Sequence, residues 1–93
     1  MVIGTCSVQL YFSESGSLKR KRQFLKRIKD KVRNKFNVSI AEIKDNDLWQ
    51  RATLGISTVA NDGRFINEIL SSVVKQIQSE NGVEVLDYQI EIL

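Results

Sequence analysis

From Val2 to Phe12 the even positions Val2, Cys6, Val8, Leu10 and Phe12 are apolar, while Thr5, Ser7 and Gln9 hold the odd face. A period of two predicts a strand with one buried side. Ser13 to Ser17 has turn chemistry, and Ser17 is placed to cap a helix that starts at Leu18. Leu18, Leu25, Ile28, Val32 and Phe36 then fall on one helical stripe with Phe24 at its edge, predicting a helix of about 18 residues, near 27 Å long.

Asn37 to Lys44 and Arg51 to Ala60 read as two more strands, joined through the polar turn Asp45-Asn46-Asp47 and therefore paired as an antiparallel hairpin. Asn61 or Asp62 caps a second helix with the stripe Ile66, Ile69, Leu70, Val73 and Ile77, and Gly82 is expected to supply its left-handed stop. Val83 to Leu93 ends the chain as a fourth strand, with Leu86, Tyr88, Ile90 and Ile92 alternating against Asp87, Gln89 and Glu91.

The order βαββαβ predicts an α+β, ferredoxin-like domain over residues 1–93: a four-stranded antiparallel sheet with both helices on one face. If the helices cover the even positions of the first strand, the open face presents Thr5, Ser7, Gln9, Tyr11, Thr53, Gly55 and Ser57. That surface is small and polar with one large ring.

Charge changes this picture. Ten of the fourteen Lys and Arg residues lie between Lys19 and Lys35, with Asp30 as the only acid. The first helix therefore carries +9 and the rest of the chain −6, which the net charge of +3 conceals. Lys19, Arg22, Lys26, Lys29 and Arg33 stack at spacings of three and four along one ridge, and Arg20, Arg27 and Lys31 along a second. Like charges at these spacings cost about 0.2–0.5 kcal/mol per pair, and early cations also oppose the helix dipole. Local stability does not favour such a helix; a polyanion relieves it. Clustered cations of this kind are the electrostatic footprint of nucleic-acid binding. The apolar stripe is needed for the core, which argues against insertion in a membrane.

Other chemistry is thin. The chain has no histidine, so the commonest general base and zinc nitrogen ligand are missing, and Cys6 has no partner for a disulfide or a thiolate metal site. No metal, cofactor or enzymatic activity is expected. No stretch is long and apolar enough for a transmembrane helix and no leader is evident, so a soluble, unprocessed, cytoplasmic protein is the expectation. Asp45-Asn46-Asp47 lacks the downstream Gly and Glu of a calcium loop and reads as an Asx turn. Trp49, the only tryptophan, either closes the end of the core or stacks on a base with Arg51 on phosphate. The third strand, Arg-Ala-Thr-Leu-Gly-Ile-Ser-Thr-Val, lacks the aromatics of an RNA-recognition motif. The loop Ser-Glu-Ser-Gly-Ser lacks the arginine of an acylphosphatase-like phosphate cradle, and Glu14 repels the substrate.

Ser17-Leu18-Lys19 followed by Lys21-Arg22, Phe36-Asn37-Val38-Ser39 with Ala41-Glu42, Asp47-Leu48-Trp49-Gln50-Arg51-Ala52 with Leu54-Gly55, and Asn61-Asp62 resemble the YlxP-like family of small bacterial proteins. The likeness extends to Glu91-Ile92-Leu93; the strings around Leu18 and Trp49 are its distinctive parts. The resemblance implies a ferredoxin-like domain, often encoded beside factors for transcription elongation, translation initiation and small-subunit maturation. It implies no established activity and transfers no catalytic residue, and this chain is richer in Lys around the first helix than usual members.

The expectation is a non-enzymatic accessory protein that contacts RNA, ribosomal RNA or ribosomal particles foremost, through Lys19, Arg20, Lys21, Arg22, Lys26, Lys29 and Arg33, with Trp49 and Arg51 as secondary contacts. The competing expectation is a protein-interaction or self-associating module, in which the open sheet face pairs with another copy as a homodimer and the basic helix meets an acidic protein.

Overall fold

The computed structural model describes all 93 residues, Met1–Leu93. Its elements are β1 (Val2–Tyr11), α1 (Leu18–Lys35), β2 (Ser39–Lys44), β3 (Arg51–Ala60), α2 (Gly63–Gln78) and β4 (Glu84–Ile92). The strands form one antiparallel sheet in the order β2-β3-β1-β4. This is the ferredoxin-like arrangement expected from the period switches.

Both caps follow local chemistry. The Ser17 hydroxyl accepts from the Arg20 amide at 3.1 Å, and the Asp62 carboxylate from the Arg64 amide at 2.9 Å. The even positions of β1 face the helices: Cys6, Val8, Leu10 and Phe12 join Leu25, Ile28 and Val32 of α1 and Ile66, Leu70, Val73 and Ile77 of α2 in one buried cluster. Gly4 lies in the same row, and a Cβ there would collide with Ile66, so the missing side chain lets α2 sit close on β1.

Four expectations need correction. Phe24 is not at the edge of the stripe but buried, its ring stacked on Phe12 at 5.3 Å. Gly82 does adopt positive φ, +85°, but it serves the turn into β4; α2 already ends at Ser79, whose amide returns to the carbonyls of Lys75 and Gln76. A bulge between Gln9 and Leu10 places Val85, not Leu86, opposite Leu10, so Leu86 drops out of the core-facing series. The second strand begins at Ser39 rather than Asn37, and a bulge near its end turns Ile43 out over Gly55 on the open face.

Candidate nucleic-acid interface

Helix α1 sorts its cations by position around its axis. On the side toward α2, Lys31 pairs with Glu80 at 3.1 Å, Arg27 stands 3.9 Å from the same carboxylate and donates to the Asn81 carbonyl at 2.8 Å, and Lys35 donates to Gln76 at 3.4 Å. Glu80 is itself nearly buried and accepts from Gln76 at 3.2 Å. Arg27 and Lys31 of the second ridge, together with Lys35, thus tie α1 to α2 and the turn after it. The guanidinium of Arg20 lies over the Phe24 ring at 4.4 Å and donates to Gln23, which leaves its charge unneutralised.

The other ridge lies on the β2 side, with Lys19, Arg22, Lys26 and Arg33 exposed and Lys29 half-buried. Lys19, Arg22 and Lys29 have no carboxylate within ion-pair distance; Arg33 donates to the Ile40 carbonyl at 3.0 Å, which satisfies a bond but not a charge. Lys26 alone is paired, with Asp30 at 2.8 Å across one helical turn. That hydrogen bond holds the Asp30 carboxyl below its usual range, and the fields of Lys26, Arg33 and Lys29 push the same way. One carboxylate thus sits in the field of three cations, and the ridge from Lys19 to Arg33 spans about 21 Å at the standard rise.

Lys21 does not belong to this surface, contrary to the expectation from its charge. Its side chain is 1% exposed, and its ammonium meets Glu42 at 2.9 Å and the carbonyls of Asp45, Asn46 and Arg51 at 2.9, 3.2 and 3.1 Å. The physical reason lies in the spacing Leu18, Lys21, Leu25, Ile28, Val32: Lys21 occupies the apolar stripe, and its neighbour across the interface, Glu42, pairs with core residue Leu54 in the sheet. A lysine at a stripe position and an acid at a core-facing strand position were the available signal.

The consequence of that bond set is a fixed β2–β3 loop. Asp45 takes φ +66° there, the Leu48 amide returns to the Asp45 carbonyl, and the Phe12 amide donates to the Gln50 carbonyl at 2.8 Å. The Gln50 side chain donates to the Ser13 carbonyl, joining this loop to the one before α1. Trp49 is held out on it, 56% exposed, with Leu48 half-exposed beside it. Trp49 therefore does not close the core; Phe12 and Phe24 do that. A cleft of about 550 Å³ lies between the two loops, lined by Ser15, Gly16, Leu48, Trp49, Gln50 and Arg51.

The opposite face of the molecule is the open sheet. Thr5, Ser7, Gly55 and Ser57 floor a shallow basin of about 440 Å³, bordered by Ile43 on one side and Gln89 and Glu91 on the other. Cys6 lies beneath it, buried, and burial pushes its thiol up from 9.0 to about 11. No group of His, Cys, Asp and Glu is arranged to hold a metal ion, and no helix is long and apolar enough to cross a membrane.

Residues 3–90 match the family described as "Protein of unknown function (DUF503)". The uncharacterized protein YlxP of Bacillus subtilis (strain 168) is 41% identical over 83 residues, which cover 89% of this chain and 90% of that protein. Among solved structures, a de novo designed protein with a ferredoxin fold superposes with a TM-score of 0.56 at 15% identity, over 100% of this chain and 84% of that one. A second de novo designed protein, Foldit4, gives 0.52 at 14% identity over 99% and 94%; these likenesses concern the fold alone. By the family match and the YlxP relative together, the chain belongs to the DUF503 family.

Proposed function

We propose that this protein is a non-enzymatic RNA-binding accessory protein that grips phosphates with the outward ridge of α1. The observation that carries the reading is the separation of the helix's cations: those facing α2 are used internally, while Lys19, Arg22, Lys29 and Arg33 on the β2 side have no acid partner. Fold stability does not account for them, because their mutual repulsion opposes it. Successive ridge residues advance by about 5 Å along the helix, close enough for each to reach a different phosphate of one strand. The most buried carboxylates, Glu42 and Glu80, are committed to lysines, which favours a binding role over acid–base catalysis. Ribosomal RNA or a ribosomal particle is the polyanion favoured by the gene neighbours that the YlxP resemblance implies.

Fluorescence anisotropy with labelled ribosomal RNA fragments tests this. Reversing Arg22 and Lys29 to Glu should lower affinity by more than tenfold and to a similar degree for unrelated sequences, since phosphate contacts carry no base information. Reversing Lys75 on α2 should change little. Unaltered binding by the Arg22 and Lys29 double variant overturns the proposal.

A second reading, a homodimer through the sheet face, is favoured by the charge pattern of that face. Lys44 of β2, Thr53 of β3, Gln9 of β1 and Asp87 of β4 lie in one row. A two-fold axis parallel to the strands sets each Lys44 against the other copy's Asp87, whereas an axis across the strands sets acid on acid. The small side chains of Thr5, Ser7 and Ser57 leave the middle of the face low, and the exposed Ile43 beside Gly55 adds an apolar contact. The face buries roughly 1,200 Å² in total, at the lower end of specific interfaces. Sedimentation over a concentration series should show Lys44→Glu or Asp87→Lys weakening the dimer and their combination restoring it; a monomer throughout overturns this reading.

A further inference from the structure

The Trp49 loop is more than an exposed turn, because the molecule spends a buried lysine on holding it. One ammonium on α1 satisfies the carbonyls of Asp45, Asn46 and Arg51 as well as Glu42, and the Gln50 side chain ties the same loop to Ser13. The residues thus fixed present Leu48 and Trp49 to solvent rather than to the core. An indole is a costly group to leave exposed, and a rigid platform for it loses little entropy when something stacks there.

Position selects the occupant. Lys21 pins the loop against the first turns of α1, so Trp49 stands at the Lys19 and Arg22 end of the ridge and not at its Arg33 end. The neighbouring cleft, about 550 Å³, falls within the roughly 300–1,000 Å³ range of small-ligand clefts, and Arg51 forms part of its wall. The loops themselves carry Glu14, Asp45 and Asp47, so they do not attract an anion by net charge. Their contribution is an aromatic surface; the charge comes from the helix. A cationic track that ends at an aromatic platform is the combination by which single-stranded nucleic acids are held, because backbone and base are met by separate groups.

We infer that Trp49 stacks an unpaired nucleobase in the cleft between the β1–α1 and β2–β3 loops, while the phosphates that follow run along Lys19, Arg22 and Lys29. The inference rests on the RNA-binding reading and deepens it: the preferred ligand is single-stranded RNA, or a flipped-out nucleotide, over an uninterrupted duplex. Lys21 acts as a positioning residue for the stack.

The single tryptophan makes the test direct. Wild-type protein is titrated with a single-stranded oligoadenylate and, separately, with a blunt RNA duplex carrying the same number of phosphates, following both ligand anisotropy and indole emission. The single strand should quench Trp49 with the midpoint seen by anisotropy, and the duplex should bind without quenching. Trp49→Ala should weaken the single strand by roughly five- to 150-fold, the range of one base stack, while Trp49→Phe keeps most of the affinity. Lys21→Met should leave the indole more mobile in time-resolved anisotropy and weaken only the single strand. Trp49 is exposed, so its variants test the stack even where Lys21→Met fails to fold. If oligoadenylate binds with unchanged emission and Trp49→Ala binds like wild type, or if the duplex quenches as strongly, the stack is refuted while the ridge stands. If neither RNA binds, both readings fall.

Discussion

Replacing Lys21 by Met keeps the length of the stem and removes only the ammonium, so the loss it causes measures polar chemistry rather than a cavity. Three N–H donors serve four acceptors there, at 2.9 to 3.2 Å. At 2.9 Å and an effective dielectric near 20, the gross attraction to Glu42 is about 6 kcal/mol, much of it cancelled by the cost of drying the two charges. What the substitution leaves behind is a carboxylate that is 16% exposed without a counterion, and the carbonyls of Asp45, Asn46 and Arg51 without the ammonium's hydrogen bonds, although the Asp45 carbonyl keeps the Leu48 amide. Breaking one side of a buried pair costs about 3–5 kcal/mol, a large share of the roughly 5–15 kcal/mol that holds a domain of this size. Removing Glu42 as well, as Lys21→Met with Glu42→Leu, abolishes the orphaned charge and should recover about half of the loss or more. Urea unfolding followed by far-ultraviolet circular dichroism measures both, since Trp49 is already exposed in the native state and reports poorly on unfolding. A cost below about 1 kcal/mol for the single variant, or a double variant no better than the single, refutes the account of Lys21 as a structural anchor.

Gly4→Ala should destabilise by about 1–3 kcal/mol in the same assay, because the new methyl meets Ile66 on the closest approach of α2 to the sheet; an unchanged midpoint refutes the packing argument. Cys6 should resist alkylation at pH 8 in the folded protein and react on unfolding, as read by mass spectrometry. Its raised pKa contributes stability that is full below 9.0 and is lost as pH climbs through about 11; native labelling at the rate of a free thiol contradicts the burial. Asp30→Asn should bind RNA more tightly and steepen the salt dependence by about 0.7, since it releases Lys26 to take a phosphate. Because the Asp30 pKa is lowered, the wild-type pair persists above the ordinary carboxylate value and fades only as pH falls through the lower one. Identical slopes for variant and wild type would remove Lys26 from the interface.

The elements were legible because each declares its period: alternation in β1, a three-four stripe in both helices, a polar turn between β2 and β3. Their order then admits few topologies. What escaped the pattern were single-residue events. A bulge after Val85 exchanges the roles of Leu86 and its neighbour without altering composition, and Phe24 is drawn inward by Phe12, a partner in another element. Lys21 departs from its neighbours because its position in the apolar stripe outweighs its charge. On the wheel it lies among Leu25, Ile28 and Val32, and only a carboxylate from β2 makes that tolerable. The ridge itself was readable, since Lys19, Arg22, Lys26, Lys29 and Arg33 share a face by spacing alone. The division of labour between it and the α2-facing cations was not, because Glu80 is brought to Arg27 and Lys31 by tertiary folding.

The salt dependence of RNA binding measures the central claim most directly. With the four ridge cations that lack an acid each taking a phosphate of a single strand, the logarithm of the association constant should fall against the logarithm of salt concentration with a slope of about −3, and reversing Arg22 and Lys29 should make it shallower by more than one. A slope near zero, or one unchanged by those reversals, contradicts a phosphate-gripping ridge on α1.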